Sequence, residues 1–109
     1  MEKWILVVRT NCNDESREDE FNEWYDNVHV ADVMGTLGFI KANRYVSPEW
    51  SSYDSGKYLA IYEVETDDMA KTMETLGKRM SECFKKGRLS ELIQPVSFGI
   101  FKPVGKHGK

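Results

Sequence analysis

The run Trp4-Ile5-Leu6-Val7-Val8 is apolar at every position, and Tyr58-Leu59-Ala60-Ile61-Tyr62 is apolar or aromatic throughout. Both are rich in β-branched or aromatic residues and read as strands. Side chains along a strand point alternately to opposite faces. A sheet with one wet face should therefore alternate apolar with polar, and these strands do not. Both faces of the sheet they build need cover.

Working outward, Trp4 to Thr10 is the first strand, followed by the turn residues Asn11-Cys12-Asn13-Asp14. Asp14 or Ser16 caps a helix that runs to about Met34, with acidic residues crowding its first turn where the helix dipole favours them. Phe21, Trp24, Tyr25, Val28 and Asp32 recur at helical spacing and mark its inner stripe. Gly35 and Gly38 end it. Phe39 to Ser47 is the second strand, residues 48–56 a loop with Trp50 and Tyr53, and Lys57 to Glu65 the third strand. Thr66-Asp67-Asp68 caps a second helix ending near Lys86-Gly87, with Met69, Met73, Leu76, Met80 and Phe84 as its apolar stripe. After a connector from Ser90 to Ile93, Pro95 to Phe101 is the fourth strand.

The order is β-α-β-β-α-β, which predicts an α+β, ferredoxin-like fold: a four-stranded antiparallel sheet with two helices on one face. Residues 1–102 read as one domain and residues 103–109 as a flexible tail. Two helices cover one sheet face only. The fourth strand adds Val96, Phe98 and Ile100 on one side and Phe101 on the other. Each large apolar side chain buried is worth about 1.5–3 kcal/mol, and the chain has no spare element to bury the second face. A second copy, packed sheet to sheet as a homodimer, is the expected cover.

Composition excludes several classes. The net charge is −3, no basic stripe occurs, and there is no Lys/Arg-Gly-Phe run of the kind RNA-binding sheets carry, so nucleic acid is not the expected partner. No apolar run approaches the ~20 residues of a membrane span, and the first residues lack a cleavage site, so no membrane segment or signal peptide is expected. Cys12 and Cys83 have neither CxxC spacing nor a histidine at ligand intervals. No metal site is expected, and reduced thiols suit a cytoplasmic protein.

The chemistry concentrates in Glu20-Phe21-Asn22-Glu23-Trp24-Tyr25-Asp26-Asn27-Val28-His29-Val30-Ala31-Asp32-Val33. Asp32 falls inside the apolar sector, where a carboxylate is costly unless satisfied. Tyr25 and His29 lie one turn apart on its edge, and Asp32 is three residues from His29, near enough to meet it. A carboxylate beside an imidazole raises its pKa and selects a tautomer, as a general base requires. Two plainer readings stay open: the Tyr-His-Asp edge as a boundary between core and solvent, and Asp32 as the cap of a short turn over residues 33–37. His107, in the tail, carries no comparable setting. On the third strand Tyr58 and Tyr62 share a face, and Tyr62 is either a donor to a developing oxyanion or a satisfied core tyrosine. Arg9 is an anion anchor or an edge charge against aggregation.

The segment Glu23 to Val33, with Gly38-Phe39 and Arg44-Tyr45, resembles the EthD-like branch of the dimeric α+β barrel superfamily, whose first helix often reads W-Y-x-x-H-x-P-D/E. The resemblance covers residues 20–46; elsewhere it rests on element order. Ala31 stands where that branch often has proline, and Asn43 where it often has a first arginine, leaving Arg44 to bind an anionic group. The resemblance implies a ligand pocket between helices and sheet with His29 facing it. It also implies chemistry of the kind seen among isomerases, polyketide cyclases and monooxygenases, most of which use no cofactor.

The expected function is a cofactor-free isomerase, cyclase or lyase acting beside a carbonyl of a small aromatic or polyketide-like compound. His29 is the acid/base, Asp32 or Tyr25 orients it, and Trp24, Arg44, Tyr58 and Tyr62 bind substrate. The alternatives are a non-catalytic small-molecule-binding or stress-related dimer, and a haem- or oxygen-using monooxygenase with His29 as proximal ligand.

Overall fold

The structure, a computed structural model, describes residues 1–48 and 56–109. Trp50 and Tyr53 lie outside the described residues. Strands β1 (Glu2–Cys12), β2 (Phe39–Val46), β3 (Tyr58–Thr66) and β4 (Ile93–Phe101) form one antiparallel sheet in the order β2-β3-β1-β4. After a 3-10 turn at Glu15–Arg17, the first helical segment runs through α1 (Glu18–Trp24), a π-helical turn (Tyr25–His29) and α2 (Val30–Met34). The second is α3 (Met69–Lys85). This is the expected βαββαβ order and the ferredoxin-like strand arrangement.

Both ends of β1 and the start of β4 extend past the expected bounds, because apolar pattern does not mark where backbone pairing stops. Glu2 still pairs with Thr66, and Cys12 pairs with Ile93, so β4 begins before Pro95. Proline fits there because β4 is an edge strand, and Pro95 sits where the β1–β4 register shifts between Arg9 and Thr10. The caps are as expected: the Asp14 side chain accepts from the Ser16 N–H, and that of Asp68 from the Lys71 N–H.

The largest departure lies in the first helix. The expected stripe was Phe21, Trp24, Tyr25, Val28 and Asp32; the buried row is Phe21, Tyr25, His29 and Val33, joined by Asp32. Trp24 and Val28 are only half-buried. A row at strict four-residue spacing drifts about 40° per step on a regular α-helix of 3.6 residues per turn. The wider π turn takes up that drift: the Val30 N–H reaches the Tyr25 carbonyl, five residues back. It keeps Tyr25, His29 and Val33 all facing the sheet. On α3 the buried residues are Met69, Thr72, Leu76 and Cys83, while Phe84 is exposed, one position off the face it was assigned to.

Cross-strand partners share a face. Trp4, Leu6, Val8 and Thr10 of β1 stand opposite Val64, Tyr62, Ala60 and Tyr58 of β3, and all four of these β3 residues are buried on the helix side. The other face carries Ile5, Val7, Leu59 and Ile61, half-buried in a single chain, with Tyr45 and Phe101 exposed beside them. Phe98 stands on the helix side of edge strand β4, yet it is 72% exposed. Both cysteines are free. No helix among the described residues is long and apolar enough to cross a membrane.

Gly38 makes the turn into β2. Its φ is +101°, its carbonyl accepts from the Glu65 N–H at 2.8 Å, and a Cβ would come 3.0 Å from the Glu65 carbonyl oxygen. Gly38→Ala should cost about 1–3 kcal/mol in denaturant unfolding. A neutral result would mean that the turn is not held in this conformation.

Candidate functional site

The π turn and the sheet enclose a group of polar aromatic residues. The His29 ring is 9% exposed. It stacks on Trp24 (centroids 4.8 Å apart, planes 22° apart) and meets Tyr25 edge-on at 4.8 Å. Tyr25 meets Phe21 at 5.7 Å, and Tyr62 of β3 packs against Phe39 at 5.8 Å. The buried Tyr25 and Tyr62 hydroxyls lie within hydrogen-bonding range of each other but poorly aligned, and among the described residues neither they nor His29 Nδ1 has another hydrogen-bond partner. Buried polar atoms are normally paired, and such a group of exceptions calls for a cause such as a ligand or a catalytic role.

Their charge states follow from burial. Burial pulls His29 down to about 4 from its ordinary 6.5; the Asp32 charge opposes this and the Arg44 charge adds to it. His29 is thus a neutral imidazole near pH 7. Burial pushes both Tyr25 and Tyr62 upward, so both remain protonated donors.

Asp32 does not orient His29 by a hydrogen bond. Its buried carboxylate is held by the Arg88 fork, Nε to Oδ2 at 2.8 Å and Nη2 to Oδ1 at 3.0 Å, which keeps Asp32 below the usual carboxylate range. Its backbone carbonyl accepts from Arg79 Nε, capping the helix end. Arg88 reaches back because Gly87 takes a φ of +72° after α3, and the Arg88 N–H bonds the Cys83 carbonyl at 2.9 Å. The Arg88 carbonyl also accepts from Trp24 Nε1 at 2.8 Å, fixing the ring that covers His29. No sequence motif announces Arg88, whose partner lies 56 residues away.

A second layer lies beside this group. Glu18, Asn22 and Asp26 follow one another at four-residue spacing along the first helical segment, and β2, β3 and the residue before β3 bring Arg44, Tyr58 and Lys57 against them. Tyr58 donates to Glu18 and accepts from Asn22 Nδ2 at 3.2 Å; Lys57 Nζ lies 2.9 Å from the same Glu18 carboxylate. Arg44 Nη2 donates to Asn22 Oδ1 and Nη1 to Asp26 Oδ1, each at 2.9 Å. The Arg44 guanidinium carbon lies 4.1 Å from the centroid of the Tyr25 ring. The sequence reading took Arg44 and Tyr58 but missed Glu18, Asn22 and Asp26. Their spacing was the available signal: a polar row at the same interval as the buried row Phe21-Tyr25-His29.

Two open clefts flank these residues. Asn22, Asp26, Arg44, Tyr45, Val46 and Tyr58 line one of about 320 Å3. Trp24, Val28, Arg88 and their neighbours line another of about 450 Å3. Arg44 and Tyr58 thus line the first and Trp24 the second, while Tyr25, His29 and Tyr62 line neither. Neither of these clefts has His29 in its wall, where the expected pocket would have it. Trp24 stacks on His29, and Arg44 covers Tyr25. The described residues hold no group of histidine, cysteine and carboxylate side chains able to bind a metal ion.

Solved structures share this architecture from end to end. The cofactor-independent oxygenase SnoaB of Streptomyces nogalater aligns over all of both chains at 12% identity, with a TM-score of 0.63. The chain has the ferredoxin-like α+β fold of these structures. An EthD family protein of Bacillus halodurans aligns over 95% of this chain and all of its own at 14% identity, with a TM-score of 0.60. The haem degrader MhuD of Mycobacterium tuberculosis aligns over 96% of this chain and 99% of its own at 13% identity, with a TM-score of 0.64. No family model and no curated protein matches the sequence. At these identities the likeness establishes the fold, in keeping with the resemblance of residues 20–46 to the EthD-like branch.

The depressed His29 has a measurable consequence. Between about pH 4 and 6.5 the unfolded chain binds a proton at this residue that the folded chain refuses. Its contribution to stability is complete above the unfolded value and falls as pH drops toward 4. The loss is roughly 2–3 kcal/mol. Denaturant unfolding at pH 7.5 and 4.5 should show that much extra acid loss in the native chain compared with His29→Gln. Equal losses would mean that His29 is solvated.

Proposed function

We propose that the protein is an enzyme that moves a proton next to a carbonyl group of a small aromatic or polyketide-like compound, with His29 as general acid/base and no organic cofactor. The observation that carries this is the buried group of Tyr25, Tyr62 and His29, in which the two hydroxyls have only each other in range and His29 Nδ1 has no hydrogen-bond partner among the described residues. A neutral imidazole accepts the proton leaving carbon. Negative charge then develops on the carbonyl oxygen, and the protonated Tyr25 and Tyr62 hydroxyls donate to it. Returning the proton elsewhere on the carbon skeleton completes an isomerisation; attack of the enolate on a second carbonyl completes a cyclisation. Trp24 and Arg44 have to yield for a ligand to reach this group. Asp32 acts on His29 only through its charge and the Arg88–Trp24 contacts, so it is a positioning residue.

The haem-using reading meets the same obstacle as proton transfer: the His29 imidazole is buried, covered on one face by Trp24 and met by Tyr25, so it would have to be uncovered to serve as a proximal ligand. A non-catalytic ligand-binding dimer is the second reading, and its support is that His29 lines neither cleft.

We also propose a homodimer formed through the sheet face that carries Ile5, Val7, Leu59 and Ile61, and cytoplasmic residence for a chain with two free cysteines. Sedimentation should give twice the 12.6 kDa chain mass, and Ile61→Asp should give the monomer. A monomeric native chain would refute the pairing.

For the chemistry, a panel of aromatic ketones and β-dicarbonyl compounds in D2O should show enzyme-dependent exchange of the carbon-bound proton by NMR. Folded His29→Gln should exchange ~10²-fold more slowly. Exchange at the native rate in that variant would remove His29 from the reaction, and binding without exchange across the panel would favour the second reading.

A further inference from the structure

The two arginines around the first helix hold their carboxylates differently. Arg88 grips Asp32 with both arms, Nε on one oxygen and Nη2 on the other. That two-point fork is the geometry in which guanidinium and carboxylate satisfy each other. Arg44 gives Asp26 a single hydrogen bond through Nη1, spends Nη2 on the neutral Asn22 amide, and leaves its buried Nε without a hydrogen-bond partner among the described residues. The Arg44 side chain is 14% exposed, while that of Asp26 is 59% exposed. A cation mostly withdrawn from water is thus paired at one point with a carboxylate that water can readily take back. The guanidinium cannot turn freely, since its carbon lies 4.1 Å from the centroid of the Tyr25 ring. The pair opens onto the cleft of about 320 Å3, which Tyr45, Val46 and Tyr58 also line. That volume is at the small end of ligand pockets, roughly 300–1,000 Å3.

We infer that Asp26 is an internal stand-in at an anion site, and that the ligand is an aromatic carboxylate whose carboxyl group displaces Asp26 from Arg44 while its ring lies against Val46 and Tyr58. The inference names the ligand class for the proposed function and rests on that reading for the ligand's approach to Tyr25 and His29. Ligand carboxylate and Asp26 compete for one cation, so the empty site is held closed by the chain's own charge. The site is also coupled to the base, because the Arg44 cation is one of the causes that disfavour the imidazolium of His29. A carboxylate arriving on Arg44 offsets that cation and makes the imidazole more ready to take a proton.

The test is binding, read without turnover. Benzoate and 2-naphthoate are titrated into the native protein, Asp26→Asn, Arg44→Gln and His29→Gln by calorimetry at low salt, with benzamide as the uncharged control. Asp26→Asn should bind the carboxylates about 3–10-fold more tightly, because it removes the competitor but keeps the side chain's size. Arg44→Gln should lose at least about tenfold, and benzamide should not respond to Asp26→Asn. His29→Gln should still bind, which separates this result from a failure of the proton-transfer reading. If Asp26 is only a clamp between helix and β2, Asp26→Asn binds no better and is merely less stable. That outcome, or undiminished binding by a folded Arg44→Gln, overturns the inference.

Discussion

The π turn at Tyr25–His29 is the constraint on which the rest depends. Phe21, Tyr25, His29 and Val33 stand four residues apart, an interval that a regular α-helix does not keep on one face. One wider turn restores the alignment and carries two polar rings into the interface with the sheet. Without it, the end of the helix would rotate away, and His29 and Asp32 could not hold their present places. π turns give up regular helix geometry and occur often at functional sites. Here the turn sets an imidazole and a phenol in edge-on contact, with His29 Nδ1 lacking a hydrogen-bond partner among the described residues.

Around that turn the molecule separates structural from exchangeable polar contacts. Arg88, Asp32, Arg79 and the Trp24 indole N–H form closed pairs that tie the end of the first helix to α3 and to the connector after it. Glu18, Asn22, Asp26, Arg44 and Tyr58 form an open network at a cleft, with one guanidinium shared between a neutral amide and an exposed carboxylate. The buried imidazole and tyrosines lie behind Trp24 and Arg44. Closed pairs hold the shape, and the open network is where a ligand can exchange for part of the chain.

The architecture was legible because each of its signals is local or pairwise. Asp14 and Asp68 mark helix starts, Gly38 and Gly87 mark turns, and the unbroken apolar strands β1 and β3 show that both sheet faces carry apolar side chains. The face of the first helix was not fully legible. A straight α-helix puts Trp24 and Val28 inward, and nothing in the residues alone announces that Tyr25–His29 will widen. Asp32 looked like a partner for His29 because the two are close in sequence. Its actual partner, Arg88, is set by tertiary folding after α3. The row Glu18-Asn22-Asp26 was visible but silent, since its meaning comes from β2 and β3 placing Arg44 and Tyr58 opposite it.

The central claim is that His29 is a buried, neutral imidazole waiting for a ligand beside two protonated tyrosines. The most direct measurement is the 15N titration of the His29 ring by NMR, alone and with benzoate. One neutral tautomer should persist down to a midpoint near pH 4, and that midpoint should move upward when benzoate binds. A midpoint near the ordinary 6.5 that benzoate leaves unmoved would contradict it.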